Sequence, residues 1–286
     1  MNHKDLEMDR QGDYIINKGS YRLCPLCNAD NASLKPSAYS KDQWIIKKCK
    51  RCKLVYMENP PAYEDLEEIY AWEKTSSKVA EEKVKKESAL RRGVRVLEHY
   101  KDRLIRRDKL IDIVNKYFPP GPVIDVGCGG GQVMSRLDKK YTPFGIEVSR
   151  QLSDNARKIA ESRGGRVFCG NALLGLDTFE KDFFAAAIMS AYFEHEAAPR
   201  EVLKKILHVL KPRAPLVIKV PNYGCLNRTV TQKKWCGFRY PDHVNYWTPK
   251  TLKQIITYTG FEIVRFNIWD RFPTSDNMWL IARNPH

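Results

Sequence analysis

Val123-Ile124-Asp125-Val126 runs directly into Gly127-Cys128-Gly129-Gly130-Gly131, and this junction restricts the fold more than any other stretch. The apolar run reads as a buried strand, and the glycines read as a turn whose backbone can pass close beneath a ligand. A helical pattern follows from Gln132 to Leu137, and a second strand, Phe144-Gly145-Ile146-Glu147, ends on an acid. In α/β nucleotide sites an acid about 20 residues beyond the first glycine meets a ribose diol. The glycine register excludes a dinucleotide fingerprint, because Gln132 stands where its third glycine belongs. No G-x-x-x-x-G-K-[ST] run is present for a triphosphate. A tight turn without a ligand is the plain alternative, and Glu147 in register argues against it.

Further along the chain, strand and helix patterns alternate, which predicts a parallel sheet covered by helices. Strands are expected near 122–126, 143–147, 166–168, 183–189 and 215–220, with later ones near 261–268 and 277–283. Helices are expected near 131–139, 150–162, 199–210 and 249–258. Pro119-Pro120-Gly121-Pro122 marks the start of this domain, residues 119–286. Its 221–247 stretch is irregular and rich in aromatic and basic residues. There Tyr223, Trp235, Phe238, Tyr240, Tyr246 and Trp247 would either wall a lid or simply pack. Residues 1–20 read as a loose tail and 62–118 as a helical segment.

Between these lie two C-x-x-C knuckles, Cys24/Cys27 and Cys49/Cys52, in a module spanning 21–61. Four thiolates on two tight turns suit a tetrahedral structural zinc. Two disulfides are disfavoured by the polar N-terminus, which lacks a secretion signal, and a redox pair normally comes singly. The same features lead to the expectation of a cytoplasmic protein with no transmembrane segment. The net charge of +15 favours anionic partners, whether RNA, phosphate- or nucleotide-bearing small molecules, or acidic membranes. Solvated helix faces explain such a charge equally well.

From Cys24 onward the chain resembles a zinc-ribbon-bearing family of class I S-adenosylmethionine (SAM) methyltransferases. Asp125 stands two residues before Gly127, and the second knuckle continues as Cys52-Lys53-Leu54-Val55-Tyr56 with Asn59-Pro60. Glu194-His195 follows the fourth strand, Leu210-Lys211-Pro212 precedes the fifth, and Val220-Pro221-Asn222 ends it. Trp235, Pro241-Asp242-His243, Tyr246-Trp247-Thr248 and Gly260-Phe261 complete the ordered series. There are departures: Ala185 follows Phe184, Asn171 replaces the usual acid after the third strand, and Ala191 stands where an acid is common. Small-RNA 2′-O-methyltransferases use that last acid, with the Glu-His pair and a later His, to bind a divalent metal.

The resemblance implies a Rossmann-like class I sheet, with Asp125, Gly127, Cys128, Gly129 and Gly131 at the methionine end of SAM. Glu147 would take the ribose, and Asn171 and Ala172 the adenine. The family commonly methylates sugars, lipids and other metabolites, so a hydroxyl oxygen of a small molecule is the expected acceptor. Such transfer needs alignment, exclusion of water and often a proton acceptor. His243 is the expected base and His195 the alternative, since histidine titrates near neutrality. An rRNA or tRNA methyltransferase is the runner-up, because Cys24-Pro25-Leu26-Cys27 also resembles the zinc-bearing rRNA guanine methyltransferases. A non-catalytic SAM-binding or scaffold protein is the third reading.

Overall fold

The computed structural model describes residues 21–62 and 108–286. The expected tail, and most of the expected helical segment, therefore lie outside the described residues. The end of that segment is α1, Lys109–Tyr117, which Asp108 caps by accepting the N–H of Ile111. Its Leu110, Ile113 and Val114 are buried, and it stops ahead of Pro119.

The central sheet contains seven strands. In chain order they are β3 (Gly121–Val126), β4 (Tyr141–Glu147), β5 (Val167–Cys169), β6 (Ala186–Ser190), β7 (Pro215–Pro221), β9 (Glu262–Arg265) and β10 (Asn277–Arg283). Their spatial order is β5-β4-β3-β6-β7-β10-β9. The first five run parallel, while β10 lies antiparallel to both β7 and β9. This is a Rossmann-like sheet with helices on both faces, as expected. The strand order reverses at β3, where open α/β sheets place their ligands.

Strand alternation divides the core. Val123, Ala186, Ile188, Val217 and Ile281 pack with α1, Phe118 and Tyr141 on one face. Ile124, Val126, Ala187, Met189, Ile218 and Val220 point to the other. That second face is covered by α3 (Ala172–Leu176), α4 (Pro199–Val209) and α6 (Pro249–Tyr258). Because both faces are covered, β6 reads as a continuous apolar run. Each fully buried Ile or Leu contributes about 1.5–3 kcal/mol. Helix α2, Arg150–Glu161, is capped by Ser149 and buries Ala156 and Ala160 beside β4 and β5.

Two sequence expectations change. The helix expected near 131–139 is only a 3-10 turn, Met134–Arg136. Arg163 donates to the carbonyls of Met134, Leu137, Asp138 and Tyr141, satisfying groups that a longer helix would have used. The strand expected from 183 begins at Ala186, because Phe183 and Phe184 join Phe144 and Phe179 in an aromatic cluster. Within the irregular stretch, α5 (Leu226–Thr231) and β8 (Asn245–Tyr246) form.

The cysteine module is a hairpin of β1 (Ile46–Lys48) and β2 (Val55–Met57), and β8 pairs with β2 as its third strand. Trp44, Ile46, Val55 and Met57 share a core with Tyr223, Trp235, Val244 and Tyr246. Tyr223, Trp235, Phe238, Tyr240 and Tyr246 therefore face the hairpin, while Trp247 turns into the main core and stacks on Phe193. None of them lines the cavity described next.

Candidate active site

At the carboxyl ends of β3, β4, β5 and β6 a cavity of about 500 Å³ opens, a size typical of small-ligand sites. The turn after β3 forms its floor. Gly127 has φ +73°, and a Cβ there would lie 2.7 Å from the Tyr192 ring. Gly131 has φ +83° and lies against Ala156 of α2, where a Cβ would come within 3.1 Å of backbone. These two positions require glycine. Cys128 is buried with its Sγ in the hollow over Gly145, so its backbone is what it offers the cavity.

Glu147 ends β4 as expected and joins the cavity wall. One carboxylate oxygen accepts the N–H of Gly129 at 2.8 Å, and the other accepts the N–H of Ser149 at 3.0 Å. The glycine turn and the start of α2 are thereby tied to one acid. Asp125 is 2% exposed, and its Oδ2 has no partner. Burial, with the Glu147 charge beside it, pushes its carboxyl up to about 8. Asn171 and Ala172 lie on the wall beyond β5. Asn171 also caps α3, its Oδ1 accepting the N–H of Leu174 at 2.9 Å. Seven of the eight residues assigned from the sequence to the cofactor thus surround one cavity, while Gly131 packs behind it against α2. A buried acid with one unpartnered oxygen, a carboxylate bridging two turns and a floor cleared of Cβ atoms fit the methionine and ribose ends of SAM.

The two histidines meet, ring centroids 4.7 Å apart and edge to face. His195 reaches the cavity wall, whereas His243, 4% exposed, stands behind it. Each ring pairs Nδ1 with a backbone carbonyl, Asp242 O at 2.8 Å for His195 and Gly237 O at 2.9 Å for His243. A carbonyl can only accept, so Nδ1 carries the proton in both rings and Nε2 keeps its lone pair. Burial, with Arg239 adding, holds His195 well below the usual imidazole value, at about 4. Burial does the same to His243, with His195 and Arg239 contributing. Glu194 is pushed up to about 7 by burial, and its Oε2 has no partner. Glu194, His195 and His243 each offer one ligand atom, all within 4.8 Å of one another, a donor set suited to a divalent cation.

Tyr192 and Glu196 also line the cavity and were not singled out by sequence reasoning. The Tyr192 hydroxyl donates to Glu196, whose other oxygen accepts the N–H of Ala198 at 2.7 Å. Their only signal was alternation around the Glu194-His195 pair.

Away from the cavity, Cys24, Cys27, Cys49 and Cys52 gather their sulfurs within 4.8 Å. The Cys24–Cys52 and Cys27–Cys49 separations are both 3.5 Å. Tetrahedral Zn–S bonds of about 2.3 Å place sulfurs roughly 3.8 Å apart, so the donor set fits zinc. Asn28 and Lys53 adopt left-handed φ at equivalent places in the two knuckles. Among the described residues no helix is long and apolar enough to cross a membrane.

A family model described as "Methyltransferase domain" matches residues 97–265. The chain is 26% identical over 171 residues to a small RNA 2′-O-methyltransferase of Schizosaccharomyces pombe, covering 51% of this chain and 45% of that protein. It is 27% identical over 135 residues to the ubiquinone biosynthesis O-methyltransferase of Idiomarina loihiensis, covering 46% and 53%. The chain thus spans about half the length of these two relatives. A putative methyltransferase structure from Bacillus halodurans superposes with a TM-score of 0.50 at 14% identity, covering 63% of this chain and 100% of that one, and shows the same fold.

Proposed function

The chain belongs to the methyltransferase-domain family of SAM-dependent enzymes, and from that premise we propose that it methylates a hydroxyl oxygen of a small molecule. The observation that carries the oxygen assignment is the unprotonated Nε2 of His195 at the cavity wall, with Nδ1–H held by Asp242. SAM, when bound, supplies an already activated methyl group. Glu147 would hold the ribose, and the backbone of Gly127, Cys128, Gly129 and Gly130 would hold the methionine end. His195 accepts the hydroxyl proton at Nε2, and its depressed basicity keeps it unprotonated at neutral pH. His243 holds the His195 ring edge and is not itself on the wall. Both relatives named above are O-methyltransferases, which supports an oxygen acceptor. The ubiquinone relative and the cavity size support a small one. The four-cysteine cluster is proposed to hold a structural zinc, closed to chemistry by its four thiolates.

A second reading has its own observation, the convergence of Glu194, His195 and His243. A divalent cation there would hold the acceptor hydroxyl, and the acceptor would then be RNA, as in the name of the S. pombe relative. Methyl-labelled SAM, incubated with separated metabolite and RNA fractions, tests both. Label in metabolites supports the first reading. Label confined to RNA and dependent on added divalent cation supports the second.

A further inference from the structure

Arg22 lies two residues before the first knuckle and outside the cavity, yet its guanidinium reaches three separate parts of the chain. Nε donates to Met57 O at 2.8 Å in the hairpin. Nη1 donates to Ala197 O at 2.7 Å, in the loop that carries His195 and Glu196. Nη2 donates to Val244 O at 2.8 Å and to Asn245 Oδ1 at 3.1 Å, beside His243. Its plane also lies over the Tyr56 ring, with the guanidinium carbon 5.6 Å from the centroid. Arg22 is pinned in turn, its own N–H donating to Glu58 O at 2.9 Å.

The two loops it joins are locked to each other nearby. The N–H groups of Val244 and Asn245 both donate to Glu194 O. The Asn245 side chain donates to Glu196 O at 2.6 Å. Both loops therefore sit in one network, and the fork of Arg22 ties the cysteine hairpin to it, alongside the β2–β8 pairing and the N–H of Met57 donating to Val244 O at 2.9 Å. A planar guanidinium suits such a junction, because its donors leave in fixed, divergent directions.

We propose that Arg22 is a positioning residue, through which the folded cysteine hairpin sets the loops that carry His195 and His243. On this account the hairpin is a buttress for the acceptor side of the cavity. The cofactor side is built on β3, β4 and β5, none of which pairs with the hairpin's sheet. The inference rests on the reading that the histidines form the acceptor side, but its test needs no acceptor.

Amide hydrogen exchange is measured on the metal-loaded protein, wild type against Arg22→Gln and Arg22→Lys. The bound metal per chain and S-adenosylhomocysteine affinity are measured in parallel. In Arg22→Gln, exchange at His195, Ala198, His243, Val244 and Asn245 should accelerate about tenfold or more. Affinity for S-adenosylhomocysteine should stay within about threefold, and the metal content should be unchanged. Arg22→Lys keeps the charge without the fork, so it should give an intermediate acceleration at the same amides. Acceleration confined to residues 22–59, or none at the histidine loops, overturns the proposal. If Arg22→Gln fails to fold, Arg22→Lys decides, and a uniform or absent change there is equally contrary. Failure of the methyl-transfer assay leaves these outcomes unaffected, so the two readings fail separately.

Discussion

Replacing Glu147 by alanine separates a ligand-binding acid from a merely structural one. Its carboxylate already accepts the N–H groups of Gly129 and Ser149, so truncation both removes the ribose acceptor and frees two backbone donors. A hydrogen bond to a charged group contributes about 1.5–3 kcal/mol. Loss of the ribose contact should therefore weaken S-adenosylhomocysteine binding roughly 10- to 150-fold. Gly129 lies on the cavity, where water can take the place of the acid, whereas the buried N–H of Ser149 is left unsatisfied, at a stability cost of about 1–3 kcal/mol. Calorimetry with S-adenosylhomocysteine and with its 2′-deoxyribose analogue makes the test specific. The analogue should bind wild type more weakly, and Glu147→Ala should no longer distinguish the two ligands. Glu147→Gln, which retains one acceptor oxygen, should fall between. Unchanged affinity in a folded Glu147→Ala, or full discrimination between the ligands by that variant, would refute the assignment.

Other consequences concern different parts of the site. Asp125 has a folded-state pKa raised to about 8, so the ligand-free fold prefers the protonated acid. Stability should fall as pH rises from about 4 toward 8 and level off above, by on the order of a few kcal/mol. Asp125→Asn should flatten that limb, and denaturant titrations at pH 5 and 8 read it directly. His195→Ala should lower kcat by about 10²–10⁴ with cofactor affinity nearly unchanged, whereas His243→Ala should cost less. Because His195 is held at about 4, the wild-type rate should fall through this group only on the acid side, and a limb near 6.5 in kcat/KM contradicts the burial argument. Cys49→Ser should lose the bound metal, as elemental analysis of protein purified without added zinc will show; full metal content in that variant removes Cys49 from the ligand set.

The cofactor side was legible because its chemistry is local in sequence. Asp125 and Glu147 fall on two adjacent strands and the glycines in the turn that follows the first, and β3 and β4 pair in register from Gly121 to Val126. The strand pattern was equally readable where both faces are buried, as in β6 and β7. The acceptor side depends on contacts distant in sequence. Nothing near His243 signals that Gly237 and His195 bury it, or that Asp242 fixes the tautomer of His195. The same holds for β8, two residues whose pairing with β2 draws Tyr223, Trp235, Phe238, Tyr240 and Tyr246 toward the cysteine hairpin. Arg163 ended an expected helix by reaching carbonyls that no propensity scale includes.

A crystal structure with bound S-adenosylhomocysteine tests the central claim most directly. The account predicts the ribose hydroxyls on Glu147, the adenine beside Asn171 and Ala172, and the sulfur directed toward the side of the cavity that holds His195. A ligand seated elsewhere, or one whose sulfur points away from His195 with no ribose hydroxyl on Glu147, would contradict it.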